Sequence, residues 1–316
     1  MKINKFKNPV IIAFGCSIVL VLIGGLFFPE FLTIKYLLNQ LHMASFLGVV
    51  ASGAMIVILM GHIDLSVPWT LAVTAIVSCA IAGGELGESW KFLAIPGGLL
   101  TGAIIGLFNG LGVAYLRIHS MIWTLGMNVI VLGLSVLYTG GFQPPGVPSE
   151  LMHLLGAGKL FNIPVSIFLW LFLALIIVSL LRKTKFGRYL YAMGNSEKVT
   201  YLSGIKTNHV LILAFVVAGM CSSIAGMMVA GYANLAYQGM GDAYLLPGIA
   251  AVVIGGTNIL GGSGNYLGTV AGAILITLIT SMLSVMQMPE AGRQVIYGSV
   301  IIIMLLTYGR VQKVQA

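Results

Sequence analysis

The stretch RKTKFGRYLYAMGNSEKVTYLSGIKTN, residues 182–208, decides how this chain is arranged. It holds six of the sixteen Lys and Arg of the sequence, Arg182, Lys183, Lys185, Arg188, Lys198 and Lys206, against a single acid, Glu197. Long apolar runs flank it on both sides. A short loop this basic between two lipid-soluble segments stays in the cytoplasm when a chain is inserted. It therefore fixes the orientation of every other segment. It is also the only sizeable polar stretch expected on that side, and so the natural surface for a soluble partner.

Composition makes the bilayer unavoidable. Hydrophobic residues are 59% and charged residues 8% of the 316, with a mean hydropathy of +1.03, whereas soluble domains carry about 25% charged residues. At roughly 20 residues per crossing, about ten helices fit once loops are allowed. The expected crossings are 10–28, 43–60, 70–83, 92–115, 121–139, 164–181, 210–230, 247–260, 266–285 and 294–308. The chain is read as all-α, a polytopic membrane protein in which 1–316 form one domain. Lys2, Lys5 and Lys7 precede the first run. That run is longer than the apolar part of a secretory signal and no small-x-small site follows it, so it is read as a crossing with the N-terminus inside.

Counting charges supports this arrangement. Only Lys35, Lys91, Lys159 and Arg293 fall outside; the other twelve cations, including Arg117, Arg310 and Lys313, fall inside with both termini. Six of the eight acids fall outside. Residues 31–41 are expected at the outer interface. Trp69 and Trp123 near the inner boundary, and Trp90 and Tyr138 near the outer one, suit interfacial anchoring; Trp170 falls well inside the sixth run and does not. Cys16, Cys79 and Cys221 each lie in an apolar run and are expected as small core residues rather than disulfides.

The net charge of +8 suggests nucleic acid, but the apolar content argues against such a partner. The pattern G-x-x-x-x-G-K-[ST] is absent, so no nucleotide site of that kind is supported. The five His are scattered without metal spacing, and no nucleophile stands beside a base. No enzyme, cofactor or metal is expected.

Function is sought instead where helices break. Asp64 lies in MGHIDLSVP, residues 60–68, with Gly61 and Pro68 on either side, and both break helices. An ionisable group at membrane depth is a functional candidate by default. Asp64 either caps the following helix or belongs, with His62 and Ser66, to a translocation path or gate. Asn109 and Asn128, on flanking runs, either bond between helices or touch a polar solute. GGTNILGGSGN, residues 255–265, is a second break, read as a tight turn between packed helices. Gly98, Gly102, Gly106 and Gly110 recur every four residues, which leaves one helix face bare for close packing.

Three stretches together resemble a known family. GHIDLSV resembles GGIDLSVG of the ribose, xylose and autoinducer-2 type permeases of ABC importers, within the branched-chain/ribose superfamily. KTKFGRYLYAMGN and YLSGI resemble that family's R-T-x-F-G-R-x-x-Y-A-x-G-x-N and LSGI. LLPGIAAVVIGGTNILGGSGNYLGTVAGAI resembles its IAAVVIGGTxLxGGxGxxxGT. The blocks come in family order and the similarity spans nearly the whole chain. The family's Ala-Ala before LSGI is replaced by Val199, Thr200 and Tyr201, and Pro68 and His62 stand where Gly is usual. The resemblance implies a multi-pass subunit of the inner membrane that pairs with a second permease chain, identical or related. It implies two cytoplasmic ATPase subunits and a periplasmic solute-binding protein, with sugars or polyols as the usual solutes. It also implies a coupling helix within 195–205, including Asn195, Glu197, Leu202, Ser203 and Gly204. An ion-coupled carrier or channel is the alternative, but ion coupling normally needs several intramembrane acids and the chain offers Asp64.

Overall fold

The computed structural model describes residues 9–142, 144, 146–299 and 302. The described chain is almost entirely helical. In order, the helices are α1 (Pro9–Phe27), α2 (Ile34–Ile58), α3 (Val67–Ala82), α4 (Ala94–Tyr115), α5 (Ser120–Thr139) and α6 (Glu150–Ala157). Then come α7 (Val165–Lys183), α8 (Lys185–Asn195), α9 (Glu197–Leu202), α10 (Thr207–Ala233), α11 (Asp242–Ile254) and α12 (Tyr266–Val285). A further helical segment, 290–299, follows α12. β1 (Lys159–Leu160) and β2 (Ile163–Pro164) form a small antiparallel hairpin. Seven of these helices are long and apolar enough to cross a membrane, and α3 and α11 are apolar but shorter. The last expected crossing, 294–308, lies largely outside the described residues, as do the cations at both ends of the chain.

α10 is the central post. It packs most extensively on α4 and also on α2, α3 and α6, while α2 carries α7, α11 and α12 on its other sides. From Ala44 to Ile58 every residue of α2 is buried, which explains a span with hydrophobic residues all round. α1 lies at the edge against α12 and turns Ile11, Ile18 and Leu22 outward. The glycine row of α4 lies along α10: a β-carbon on Gly110 would come within 2.6 Å of Ile212 Cα, and one on Gly106 would strike the Phe215 carbonyl. Gly98 sits against Ser78 of α3 and Met227 of α10.

Several boundaries differ from expectation, each for a local reason. Residues 34–41 are continuous with α2 rather than a separate segment. Thr33 Oγ1 accepts from Tyr36 N at 3.3 Å, and that cap starts the helix despite its polar outer turns. α11 begins at Asp242, so Pro247 lies inside it instead of opening it; membrane helices tolerate proline where neighbours or a cavity satisfy the freed backbone. Trp69 is buried in the first turn of α3 rather than anchored at an interface. Trp170 is buried because Gly48 leaves a notch for its indole. Cys79 and Cys221 are buried, but Cys16 is exposed because α1 is peripheral.

α3 and α11 are half-length. With 16 and 13 residues they reach about 24 and 20 Å, short of a hydrocarbon core of about 30 Å. A non-helical stretch precedes each: 59–66 after α2, and 234–241 after α10. The two short helices begin side by side, Gly241 lying so close on the Pro68 carbonyl that no β-carbon would fit between them.

Candidate functional site

After α2 the amides of 59–62 still bond back to its last turn, but those of 63–65 make no backbone bond among the described residues. Gly61, at φ +79°, turns the chain in a conformation that other residues rarely adopt. Buried amides must then find partners elsewhere, and α5 supplies them. Ile63 N donates to Ser120 Oγ at 3.2 Å and Leu65 N to Thr124 Oγ1 at 2.9 Å. Trp69 N donates to Asn128 Oδ1 at 3.4 Å. Four helical residues rise about 6.0 Å and two extended residues about 6.6 Å. A row at i and i+4 on α5 therefore matches alternate amides of an extended chain. Trp69 is in the first turn of α3, whose own N-cap residue, Ser66, makes no capping bond. Asn128 serves as that cap from a neighbouring helix.

Asp64 sits in this stretch, 7% exposed. Its Oδ1 accepts from Ser66 N at 2.9 Å and Ser66 Oγ at 2.6 Å. Ser66 Oγ in turn accepts from Asn109 Nδ2 at 2.7 Å and from Thr70 Oγ1 at 3.4 Å. Asn109 is fully buried, and its Oδ1 has no partner among the described residues. Asp64, Ser66 and Asn109 thus form one hydrogen-bonded cluster; Asp64 takes the amide of Ser66, just ahead of α3, while the Trp69 amide inside the first turn of α3 goes to Asn128. His62 is set apart, its ring 6.5 Å from that of Phe215. Among the described residues no three His, Cys, Asp or Glu come together as metal ligands do.

The second break folds onto the first. Residues 258–263 close a tight turn, with Asn258 N donating to Ser263 O and Leu260 N to Asn258 Oδ1. Gly262 N then donates to Leu59 O at 2.9 Å, tying the α11–α12 break to the end of α2. Gly61 lies on the Leu260 carbonyl, and Gly194 of α8 fits against Leu59 and Gly262 with no room for a side chain. Tyr191 O–H of α8 donates to Gly264 O at 3.0 Å. Both breaks are thereby fastened to α8.

The basic stretch is two capped helices rather than an open loop. Thr184 Oγ1 accepts from Gly187 N at the start of α8, and Ser196 Oγ from Val199 N at the start of α9. Asn195 Nδ2 bonds back to Tyr191 O at 2.9 Å. Glu197 pairs with Arg117 at 2.6 Å, and Arg117 also donates to Asn208 Oδ1 at 3.3 Å, joining the α4–α5 turn to the same end. Val199, Tyr201 and Leu202 are exposed. Ser203 closes the helix by donating to Val199 O, and Gly204, at φ +81°, ends it in open space. Sequence reasoning missed Ser120, Thr124, Arg117 and Gly194. The i, i+4, i+8 row of Ser120, Thr124 and Asn128 was a legible signal, but its partner lies about sixty residues away in sequence.

An apolar helical bundle with two interior breaks, both fastened to a basic pair of helices at one end, defines a multi-pass membrane protein. Residues 36–305 match the family described as branched-chain amino acid transport system / permease component, and the chain belongs to that family. It is 33% identical over 298 residues to the ribose import permease protein RbsC of Haemophilus influenzae, covering 93% of this chain and 91% of that protein. It is 34% identical over 289 residues to RbsC of Bacillus subtilis, covering 91% and 89%. It is 32% identical over 308 residues to the autoinducer 2 import system permease protein LsrC of an Escherichia coli strain, covering 97% and 88%. No solved structure matches the chain.

Proposed function

We propose that this permease is the membrane subunit of a binding-protein-dependent ABC importer, moving a monosaccharide or related polyol inward while separate subunits hydrolyse ATP. The observation that carries this reading is the exposed apolar face of α9. Exposed apolar residues are ordinary where lipid covers them. Val199, Tyr201 and Leu202 lie instead on a short helix that itself carries Lys198 and is followed by Lys206, where an uncovered apolar patch marks a protein contact. The names of the ribose and autoinducer-2 relatives supply the solute class.

In this reading 1–316 form one domain of ten crossings with both termini inside. Its partners are a second permease chain, two cytoplasmic ATPases and a periplasmic binding protein. Asn195, Glu197, Leu202, Ser203 and Gly204 form or brace the docking surface. Because α8 carries both breaks, a rigid movement of α8 and α9 displaces them together. His62, Asp64, Ser66, Asn109 and Asn128 then act as an inner gate, shut while the cluster is intact. ATP binding biases one of the two states through its different contacts with each.

The test is purification of this chain with its bound partners from its native membrane and reconstitution of that complex in vesicles. ATP hydrolysis stimulated by sugar-loaded binding protein is the expected result. Uptake that needs a proton or Na⁺ gradient and no ATPase overturns it in favour of an ion-coupled carrier.

A further inference from the structure

At the end of the bundle opposite α8 and α9, helices α2, α11 and α12 and the segment 290–299 border a half-open cavity of about 390 Å³, within the roughly 300–1,000 Å³ of small-molecule sites. Its α12 wall is a row of hydroxyls: Thr277, Thr280, Ser281 and Ser284, spaced to share one helix face. Thr277 and Thr280 donate to the carbonyls of Ala273 and Ile276 at 2.8 Å, and Ser284 to that of Thr280 at 2.7 Å. Thr280 Oγ1 also bonds the Tyr297 hydroxyl, Ser284 Oγ accepts from Arg293 and Ser281 Oγ meets Tyr36. Thr277 is therefore the hydroxyl of this row whose oxygen, its proton committed to the backbone, meets no other side chain among the described residues and keeps its lone pairs for an incoming donor.

The α2 wall contributes Gln40, 8% exposed, whose amide has no hydrogen-bond partner among the described residues. An amide that reaches a cavity without a protein partner can both donate to and accept from an occupant. Arg293 pairs with Glu290 at 3.3 Å and donates to Ser284 Oγ at 3.1 Å, while its Nε is buried without a partner among the described residues. Pro247, also in the wall, removes the N–H that would have met the Ala243 carbonyl. Ala243 lines the same cavity.

We propose that this cavity binds the solute itself, a neutral polyhydroxylated molecule of monosaccharide size. The proposal rests on the importer reading above. Hydroxyl oxygens and a carboxamide match sugar hydroxyls as both donors and acceptors. The ring of Tyr244 and the side chains of Leu47 and Ile276 suit the C–H faces of a sugar. The acid and the base of the wall cancel each other, which disfavours an ion. The cavity adjoins a second one of about 640 Å³ that also reaches Asn39. Between them the Tyr36 hydroxyl, from the second cavity, meets Ser281 Oγ at 2.9 Å. A solute released at the outer surface would thus pass from one cavity to the next.

The experiment measures uptake of radiolabelled ribose, xylose and galactose by the complete reconstituted importer. Gln40→Leu replaces an unpartnered amide with an apolar side chain of similar size. A merely structural glutamine predicts equal or higher thermal stability with uptake intact. The proposed site predicts at least tenfold slower uptake at unchanged or raised thermal stability, a similar loss for Thr277→Val, and partial recovery in Gln40→Asn. Uptake by Gln40→Leu and Thr277→Val within twofold of the unaltered protein overturns the site and leaves the importer reading standing. An unaltered complex that moves none of the three sugars overturns the importer reading, and the site with it. Should Gln40→Leu fail to fold, Ser284→Cys in a background without Cys16, Cys79 and Cys221 decides the matter. Its alkylation from outside should slow at least threefold during sugar transport, and an unchanged rate overturns the site.

Discussion

Gly102 and Gly219 meet backbone to backbone where α4 crosses α10. A β-carbon on Gly102 would sit 2.5 Å from the Gly219 carbonyl oxygen, and one on Gly219 would collide with that of Gly102. Helices that lack a hydrophobic drive toward one another in lipid associate through such contacts. The crossing lets the central post stand close enough to carry four other helices.

Gly102→Leu and Gly106→Leu should therefore each destabilise the protein, by about 1–3 kcal/mol or more, as overpacking does. Thermal unfolding in detergent measures it. A melting temperature equal to that of the unaltered chain would show that α4 and α10 do not touch here.

Gly194→Ala should weaken the joint between α8 and the two breaks, because its methyl would enter the space now held by Leu59 and Gly262. The expected result is insertion into the membrane with sugar-stimulated ATP hydrolysis lowered at least fivefold. Unchanged stimulation would mean that the joint does not transmit motion.

Leu202→Asp should leave the permease folded, since Leu202 is exposed on α9, and should abolish co-purification of the ATPase. Retained co-purification in detergent would move the docking surface elsewhere.

Asp64→Asn keeps an oxygen able to accept from Ser66 N and Oγ, so the local geometry survives while the charge is lost. Insertion and stability should stay near those of the unaltered chain, with uptake per inserted molecule down about tenfold. Normal uptake would make Asp64 a structural residue and remove it from the gate.

Glu197→Gln should cost under about 1 kcal/mol of stability. The Glu197–Arg117 pair is 38% and 58% exposed, and solvent screens such pairs. A larger loss, measured by thermal unfolding, would show that the bridge anchors α9 itself.

Much of the fold was legible because lipid imposes simple rules. Apolar runs located the long helices, and the lysines and arginines of 182–208 marked the end to which α8 and α9 belong. The glycine row of α4 announced a packing face, though not that α10 would fill it. Where sequence reading strayed, a local bond outweighed composition. Thr33 started α2 amid polar residues, and Pro247 was taken for a boundary because its role inside α11 depends on neighbours distant in sequence. Asp64 was found from its cost alone. Its partners Ser66 and Asn109 were named separately and could not be joined, since one lies forty-three residues beyond the other. Gln40 carried no signal at all, because one amide in a long helix looks like tolerated polarity until a cavity is seen beside it.

The row of acceptors on α5 has one more consequence. The hinge is on one rod and its latch on another, so opening requires sliding rather than melting. If α5 travels along its own axis by a single repeat, at most two of the three amides can meet the neighbouring oxygen, and the one at the end of the row loses its partner. The cost of that single bare peptide group in oil is what holds the latch shut.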